Sequence, residues 1–172
     1  MNTLKIRKVL LQTAKISVGS CIAIWLSEYL HLQNATSAGT IALLTIVATR
    51  WETFRLSLFR IITFLSSVTI AYAAMHMFHS EWFSYGAYIF LMILFCELMG
   101  MKSTISVNAM IGTHFLTTQD FSSAFIWNEC CLILIGIVVA IILNFYHDNR
   151  GTKKHIEANM RYTESQFQTV FQ

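Results

Sequence analysis

Proline is absent from all 172 residues, and only 12% of them are charged. An ordinary soluble domain carries roughly 25% charged residues and needs them to stay in solution, so a water-facing globule is excluded. Without proline, a break in any helix has to come from Gly, Ser, Thr or Asn. Cysteine is sparse: Cys21, Cys96, Cys130 and Cys131 show no C-x-x-C spacing, and the adjacent pair points to different helix faces. They read as small buried apolar residues rather than metal ligands or a redox pair. No G-x-x-x-x-G-K-[ST] loop, G-x-S-x-G elbow or H-E-x-x-H helix occurs. Nothing here points to an enzyme, a cofactor or a bound metal, and uphill transport would have to draw on an ion gradient or an external motor.

What the chain has in abundance is apolar sequence. Hydrophobic residues make up 55% of it, and the mean hydropathy is +0.56. They come in runs of about 15 to 23 residues, the length that crosses a hydrocarbon core of about 30 Å as a helix. The expected fold is an all-α integral membrane bundle of six transmembrane helices over residues 1–147. Its spans are Val9–Leu30, Ala35–Thr49, Ile61–Phe78, Tyr85–Met101, Thr104–Thr118 and Ala124–Tyr146. The basic start could pass for a secretory signal, but it lacks a small-x-small cleavage site and further spans follow.

Charge sidedness supports this count. Lys5, Arg7, Lys8 and Lys15 stand at the start of helix 1, Arg50, Arg55 and Arg60 between helices 2 and 3, and Lys102 between 4 and 5. Arg150, Lys153, Lys154 and Arg161 follow helix 6. Six spans put all twelve on one side, while Glu81 and Asp120 fall opposite. The positive-inside rule then places both termini in the cytoplasm. Trp51, Trp82, Phe83, Tyr85, Trp127 and Tyr146 fall near the interfaces, where amphipathic rings settle. Arg50–Arg60 reads as a cytoplasmic helical elbow. After Tyr146 the chain turns polar, and Ile156, Met160, Phe167 and Val170–Phe171 recur at helical spacing. Residues 148–172 are therefore expected to begin an amphipathic cytoplasmic helix, docking on a partner subunit or continuing into a longer protein.

Helices 2 and 5 are too polar to face lipid. Helix 2 opens Asn34-Ala35-Thr36-Ser37-Ala38-Gly39-Thr40, and helix 5 carries Ser106, Asn108, Gly112, Thr113, His114 and Thr117. Each is the middle member of a set of three, and two sets of three run through a membrane in opposite senses. A polar or Gly-interrupted segment at matching places in inverted halves points to a transporter binding site. An inverted 3+3 repeat is expected on that ground.

Glu97, about one turn inside the end marked by Lys102, is the first candidate for proton coupling or gating, because a carboxyl at membrane depth is costly unless paired, hydrated or protonated. The competing reading is a paired carboxylate near the interface. His114 could join it in a proton relay, against a purely structural interhelical hydrogen bond; Asn108 and Thr113 share its helix. Thr36, Ser37 and Gly39 could present hydroxyls and free backbone N–H groups to a carboxylate, or simply cap and pack helix 2. His76 and His79, with Glu81 nearby, form too small a set for a metal site. Glu28 reads as an interface residue.

The block Asn34-Ala35-Thr36-Ser37-Ala38-Gly39-Thr40-Ile41-Ala42-Leu43-Leu44-Thr45-Ile46, with Thr49 and Arg50 after it, resembles the N-terminal membrane domain of the bacterial aromatic acid exporter family. So does Glu97 followed by Val107-Asn108-Ala109-Met110-Ile111-Gly112-Thr113-His114-Phe115-Leu116. That family lies within a fusaric-acid-resistance-like group, distantly akin to plant malate-transporting anion channels. The resemblance covers about Lys5 to Asn149. It implies a six-helix membrane half followed by a cytoplasmic helical region, and outward movement of aromatic or other organic acids at the expense of a proton gradient. Expected partners are the bilayer and a small organic anion, with no nucleic acid. Six short helices leave little room for a private pathway, so a homodimer or higher oligomer is expected, in the bacterial plasma membrane. A passive anion channel and a non-transporting scaffold or sensor are the competing classes. A single cysteine placed in the Gln119–Ser123 turn is predicted to react with an impermeant thiol reagent added outside the cell. Reaction only from the cytoplasmic side would refute the charge-based topology.

Overall fold

The computed structural model describes residues 3–46, 50–78 and 80–145; the helix expected over 148–172, with its basic cluster, and His79 lie outside them. The described residues form an all-helical chain: α1 (Thr3–Tyr29), α2 (Thr36–Ile46), α3 (Arg50–Met77), α4 (Glu81–Leu98), α5 (Ile105–Thr118) and α6 (Ser123–Phe145), with a 3₁₀ turn at Lys102–Thr104 before α5. α1, α3, α4 and α6 are long and apolar enough to cross a membrane. The described part of α2 has 11 residues and α5 has 14, about 17 and 21 Å at 1.5 Å per residue. The two short helices are the two singled out in the sequence for the Ser, Thr, Gly, Asn or His within their expected spans.

α3 differs from the expected elbow followed by a span. It is one helix of 28 residues. The reason is periodicity: Thr53, Leu56, Ser57, Arg60, Thr63, Phe64, Ser67, Ala71 and Ala74 are all buried, an i, i+3, i+4 stripe that crosses the expected junction without a Gly or Pro to interrupt it. Arg60, expected among the inner loop residues, is consequently carried into the bundle and is 1% exposed.

Successive helices alternate in direction. One end of the bundle gathers Arg7, Arg55 and Lys102, together with Glu52 and the Glu97–Lys102 pair; the other gathers Glu28, Glu81 and Asp120. α4 turns into α5 through a Schellman-type cap, in which Gly100 takes φ 69° while Gly100 N–H donates to Glu97 O and Met101 N–H to Cys96 O. Only a residue without Cβ adopts that φ at no cost.

Two apolar clusters build the core. Ala23 of α1, Ala38, Ala42 and Ile46 of α2, and Leu132, Ile135, Val139 and Ala140 of α6 make one. Ile41, Phe64, Tyr88, Met92, Val107, Ile111, Phe115, Ile133 and Ile137 belong to the other. α2 and α6 contribute to both and stand between them. Gly39 lies against Ser20 O and Ile24 of α1, the close backbone approach that small residues allow when no hydrophobic force favours helix over lipid. The outward faces carry Leu10, Val18, Trp25, Leu65, Phe90 and Ile142, all exposed, an apolar exterior suited to lipid. Many hydroxyls turn back on their own helix, as in α3, where Ser57, Thr63, Ser66 and Thr69 each donate to the carbonyl four residues earlier.

One polar bridge ties the second cluster together. The Tyr88 hydroxyl is 2.6 Å from Ser67 Oγ on α3 and donates to Asn108 O on α5, also at 2.6 Å. Its ring lies flat in the space a side chain at position 112 would need, so Gly112 is required for the bridge. Tyr88→Phe, which keeps the ring and deletes both bonds, should lower stability by about 1–3 kcal/mol, and Gly112→Ala by a similar amount through overpacking. Thermal unfolding in mild detergent tests this; melts unchanged from wild type would show that the bridge adds nothing.

Candidate functional site

The loop 119–122 folds α6 back along α5, which sets the last turns of one against the first turns of the other. His114 and Glu129 meet there, Nδ1 to Oε2 at 2.9 Å, with the Glu129 side chain only 1% exposed. Both carboxylate oxygens are used. Asn34 Nδ2 donates to Oε1 at 3.2 Å and Asn128 Nδ2 to the same oxygen at 3.4 Å. Asn128 is fixed in turn by Gln33, whose N–H donates to Asn128 Oδ1 at 2.8 Å. Asn34 sits at φ 57°, a left-handed conformation that Asn tolerates better than most residues, and this turn aims its amide at Glu129. On the far side of the imidazole, Nε2 lies 3.3 Å from Ser37 Oγ in the first turn of α2. A carboxylate at this depth costs several kcal/mol unless hydrogen-bonded, and three donors from three segments supply that.

The imidazole thus bridges α2 and α6, with Nδ1 facing the Glu129 carboxyl and Nε2 facing the Ser37 hydroxyl. A neutral imidazole has one donor and one acceptor nitrogen, whereas an imidazolium donates from both.

The opposite end of α2 has a second buried polar junction. Arg60 Nη1 donates to Ile41 O at 3.0 Å and to Thr45 Oγ1. Asn144 Nδ2 donates to Thr45 O at 3.5 Å and to Thr53 Oγ1 at 2.8 Å, while Lys15 Nζ donates to Asn144 Oδ1 at 2.6 Å. A guanidinium stays charged at any ordinary pH, and its burial costs several kcal/mol when uncompensated. Below this junction a cavity of about 510 Å³ opens at the basic end, lined by Leu44, Glu52, Arg55, Leu56, Phe59, Gly100, Ser103 and Ser106. A cavity of about 500 Å³ lies at the other end, between Met75, Phe78, Glu81, Trp82, Ser84, Tyr85, Leu116, Thr117 and Gln119.

Of the residues singled out in the sequence, the structure joins His114 and Ser37. Glu97 lies apart from them, exposed at the basic end in a 2.6 Å pair with Lys102, so the geometry does not form the expected Glu97–His114 relay. An ion pair so exposed contributes about 0–1 kcal/mol. Asn108 is buried with both amide atoms unpaired by protein groups. Thr113 is exposed and bonds to Ala109 O; Thr36 is exposed, and Gly39 faces α1. His76 stacks on Tyr72 at 4.1 Å, and no cluster of three metal-binding side chains occurs among the described residues.

Sequence reasoning missed Glu129 and Arg60. The signal for Glu129 was available: it is the one acidic residue within the most hydrophobic of the spans. Arg60 was hidden by the assumption that arginines near a span's end stay in the loop.

The model of the aromatic acid exporter family, described as "Aromatic acid exporter family member 1", matches residues 7–147. The chain is 29% identical over 164 residues to "Uncharacterized protein YqjA" of Bacillus subtilis (strain 168), a match covering 95% of this chain and 50% of that protein. It therefore spans about half the length of the curated relative it matches. No solved structure matches.

A double-mutant cycle with His114→Ala and Glu129→Gln, read by thermal unfolding, should give a coupling of about 0.5–3 kcal/mol. A coupling of zero would mean that the two side chains lie together without interacting.

Proposed function

Because this chain belongs to the aromatic acid exporter family, we propose that it forms the membrane half of a secondary transporter that moves aromatic or related organic acids outward, driven by protons. The His114–Glu129 pair, its carboxyl buried, held by Asn34 and touching Ser37, carries this reading. A titratable pair locked at the meeting of three helices is what a proton-coupled carrier needs, and a passive pore does not need it.

In this reading residues 1–147 are the transmembrane domain, and all six helices cross the bacterial plasma membrane with both termini cytoplasmic. The bundle is built as inverted halves, α1–α3 and α4–α6, with the short α2 and α5 as their middle members. Residues 148–172 begin the cytoplasmic helix, and the working unit is a homodimer or larger. The acid approaches from the basic, cytoplasmic end, where Arg55 and Lys102 raise its local concentration. Protons reach His114 from the opposite end. Protonation of His114 makes both ring nitrogens donors, and α2 shifts between a state open to one side and a state open to the other.

Proteoliposomes loaded with a panel of aromatic acids, with and without a pH gradient, test this. Wild type should release acid at least tenfold faster with the gradient. Glu129→Gln and His114→Ala should lose that acceleration, while Glu97→Gln should keep it. Gradient-driven export that survives both Glu129→Gln and His114→Ala would remove the pair from the mechanism. Equal flux with and without a gradient would make the protein a channel, and no flux of any acid would favour a scaffold.

A further inference from the structure

We propose that Arg60 is the residue that grips the carboxylate of the transported acid, through the edge of its guanidinium formed by Nε and Nη2. The role in transport rests on the exporter reading above; the binding does not. Arg60 is 1% exposed. Both of its protein contacts, to Ile41 O and Thr45 Oγ1, use Nη1, and both acceptors are neutral. Nε and Nη2 have no protein hydrogen-bond partner. Buried polar groups are nearly always satisfied, and one that no protein group satisfies calls for a partner from outside the protein, water or ligand. Glu97 pairs with Lys102 and Glu129 with His114, and Glu52 stands on the wall of the cavity at the basic end.

The geometry of the free edge selects the ligand. The Nε–H and one Nη2–H bond are parallel and spaced for the two oxygens of a carboxylate, the bidentate pairing that makes arginine specific for planar oxyanions. The cavity at the basic end lies close to Arg60 without being lined by it. Leu56, on its wall, stands one helical turn before Arg60, and Leu44 adjoins Thr45. Arg55 Cζ lies 5.0 Å above the Phe59 ring on the same wall, which offers a cation to an acid group and an aromatic face to a ring. Its volume of about 510 Å³ falls within the range of small-molecule sites.

The position also explains how an acid and a proton could exchange. Thr45 and Ser37 belong to the same short helix, about 12 Å apart along its axis. A carboxylate on Arg60 pulls on one end of α2, and the protonation of His114 acts on the other.

The purified full chain in phosphatidylcholine nanodiscs, titrated calorimetrically with benzoate and with benzamide, its neutral analogue, tests the assignment. Wild type should bind benzoate saturably and benzamide at least tenfold more weakly. Arg60→Lys, which keeps the charge and loses the fork, should weaken benzoate at least tenfold. Arg60→Met should abolish binding, yet melt at or above the wild-type temperature without ligand, because it removes an uncompensated buried charge. Wild-type benzoate affinity in Arg60→Met, or equal affinity of wild type for the two probes, overturns the proposal. Should Arg60→Met not fold, Arg60→Lys and the benzoate-to-benzamide ratio decide. Loss of benzoate binding on adding phosphatidylglycerol would assign the fork to a lipid phosphate and also overturn it. Benzoate binding through Arg60 without any transport refutes the exporter reading alone, whereas gradient-driven export by Arg60→Met refutes the arginine assignment alone.

Discussion

A charge withdrawn from water has to be compensated where it sits, and in this bundle that requirement decides which helices meet. Among the described residues two ionisable side chains of charged type are nearly inaccessible, Arg60 and Glu129. Glu129 gathers Asn34, Asn128 and His114 around itself, and so joins the α1–α2 turn, α5 and α6. Arg60 reaches across from α3 to two acceptors on α2. Both oxygens of Glu129 are thereby hydrogen-bonded, while Arg60 keeps Nε and Nη2 without a protein partner.

α2 is able to occupy its place because it is small on one side and polar at both ends. Ala38, Gly39 and Ala42 let it approach its neighbours closely; Gly39 lies on the backbone of α1, and Ala38 O comes near Gly136 of α6. Lipid offers no hydrophobic force that would press helices together, so close approach and polar bonds have to hold them. The polar bonds lie toward the two ends of one short helix, at Ser37 and at Thr45, with apolar packing between them.

The all-helical fold and the unusual character of α2 and α5 were legible because both depend on local properties: run length, charge sidedness and the presence of polar residues where lipid forbids them. His114 and Ser37 stand out in the sequence for the same reason. That they touch each other, rather than His114 touching Glu97, was not legible, because they stand 77 positions apart; nor was the contact with Glu129, which the fold-back of α6 brings to His114 from fifteen positions away. Glu97 satisfied every local criterion for a functional carboxylate, yet its neighbour in space is Lys102. Arg60 shows the converse. Its sequence surroundings suggest a cytoplasmic elbow, but a buried stripe running through Thr53, Leu56, Ser57 and Arg60 joins it to the span, so that one helix begins eleven residues earlier and draws the guanidinium inward.

The hydroxyls that turn back along α3 have a mechanical meaning. Each competes with a backbone N–H for the same carbonyl and bends the helix slightly. Four of them between Ser57 and Thr69, in a helix of 28 residues without Pro or Gly, give a rod whose compliance is spread over its central turns, with no single point at which it can fold. Motion of this helix would therefore take the form of continuous bowing or whole-body tilt. A locked joint engineered at any one position would stiffen it only locally, and the rest of the rod would still be free to curve.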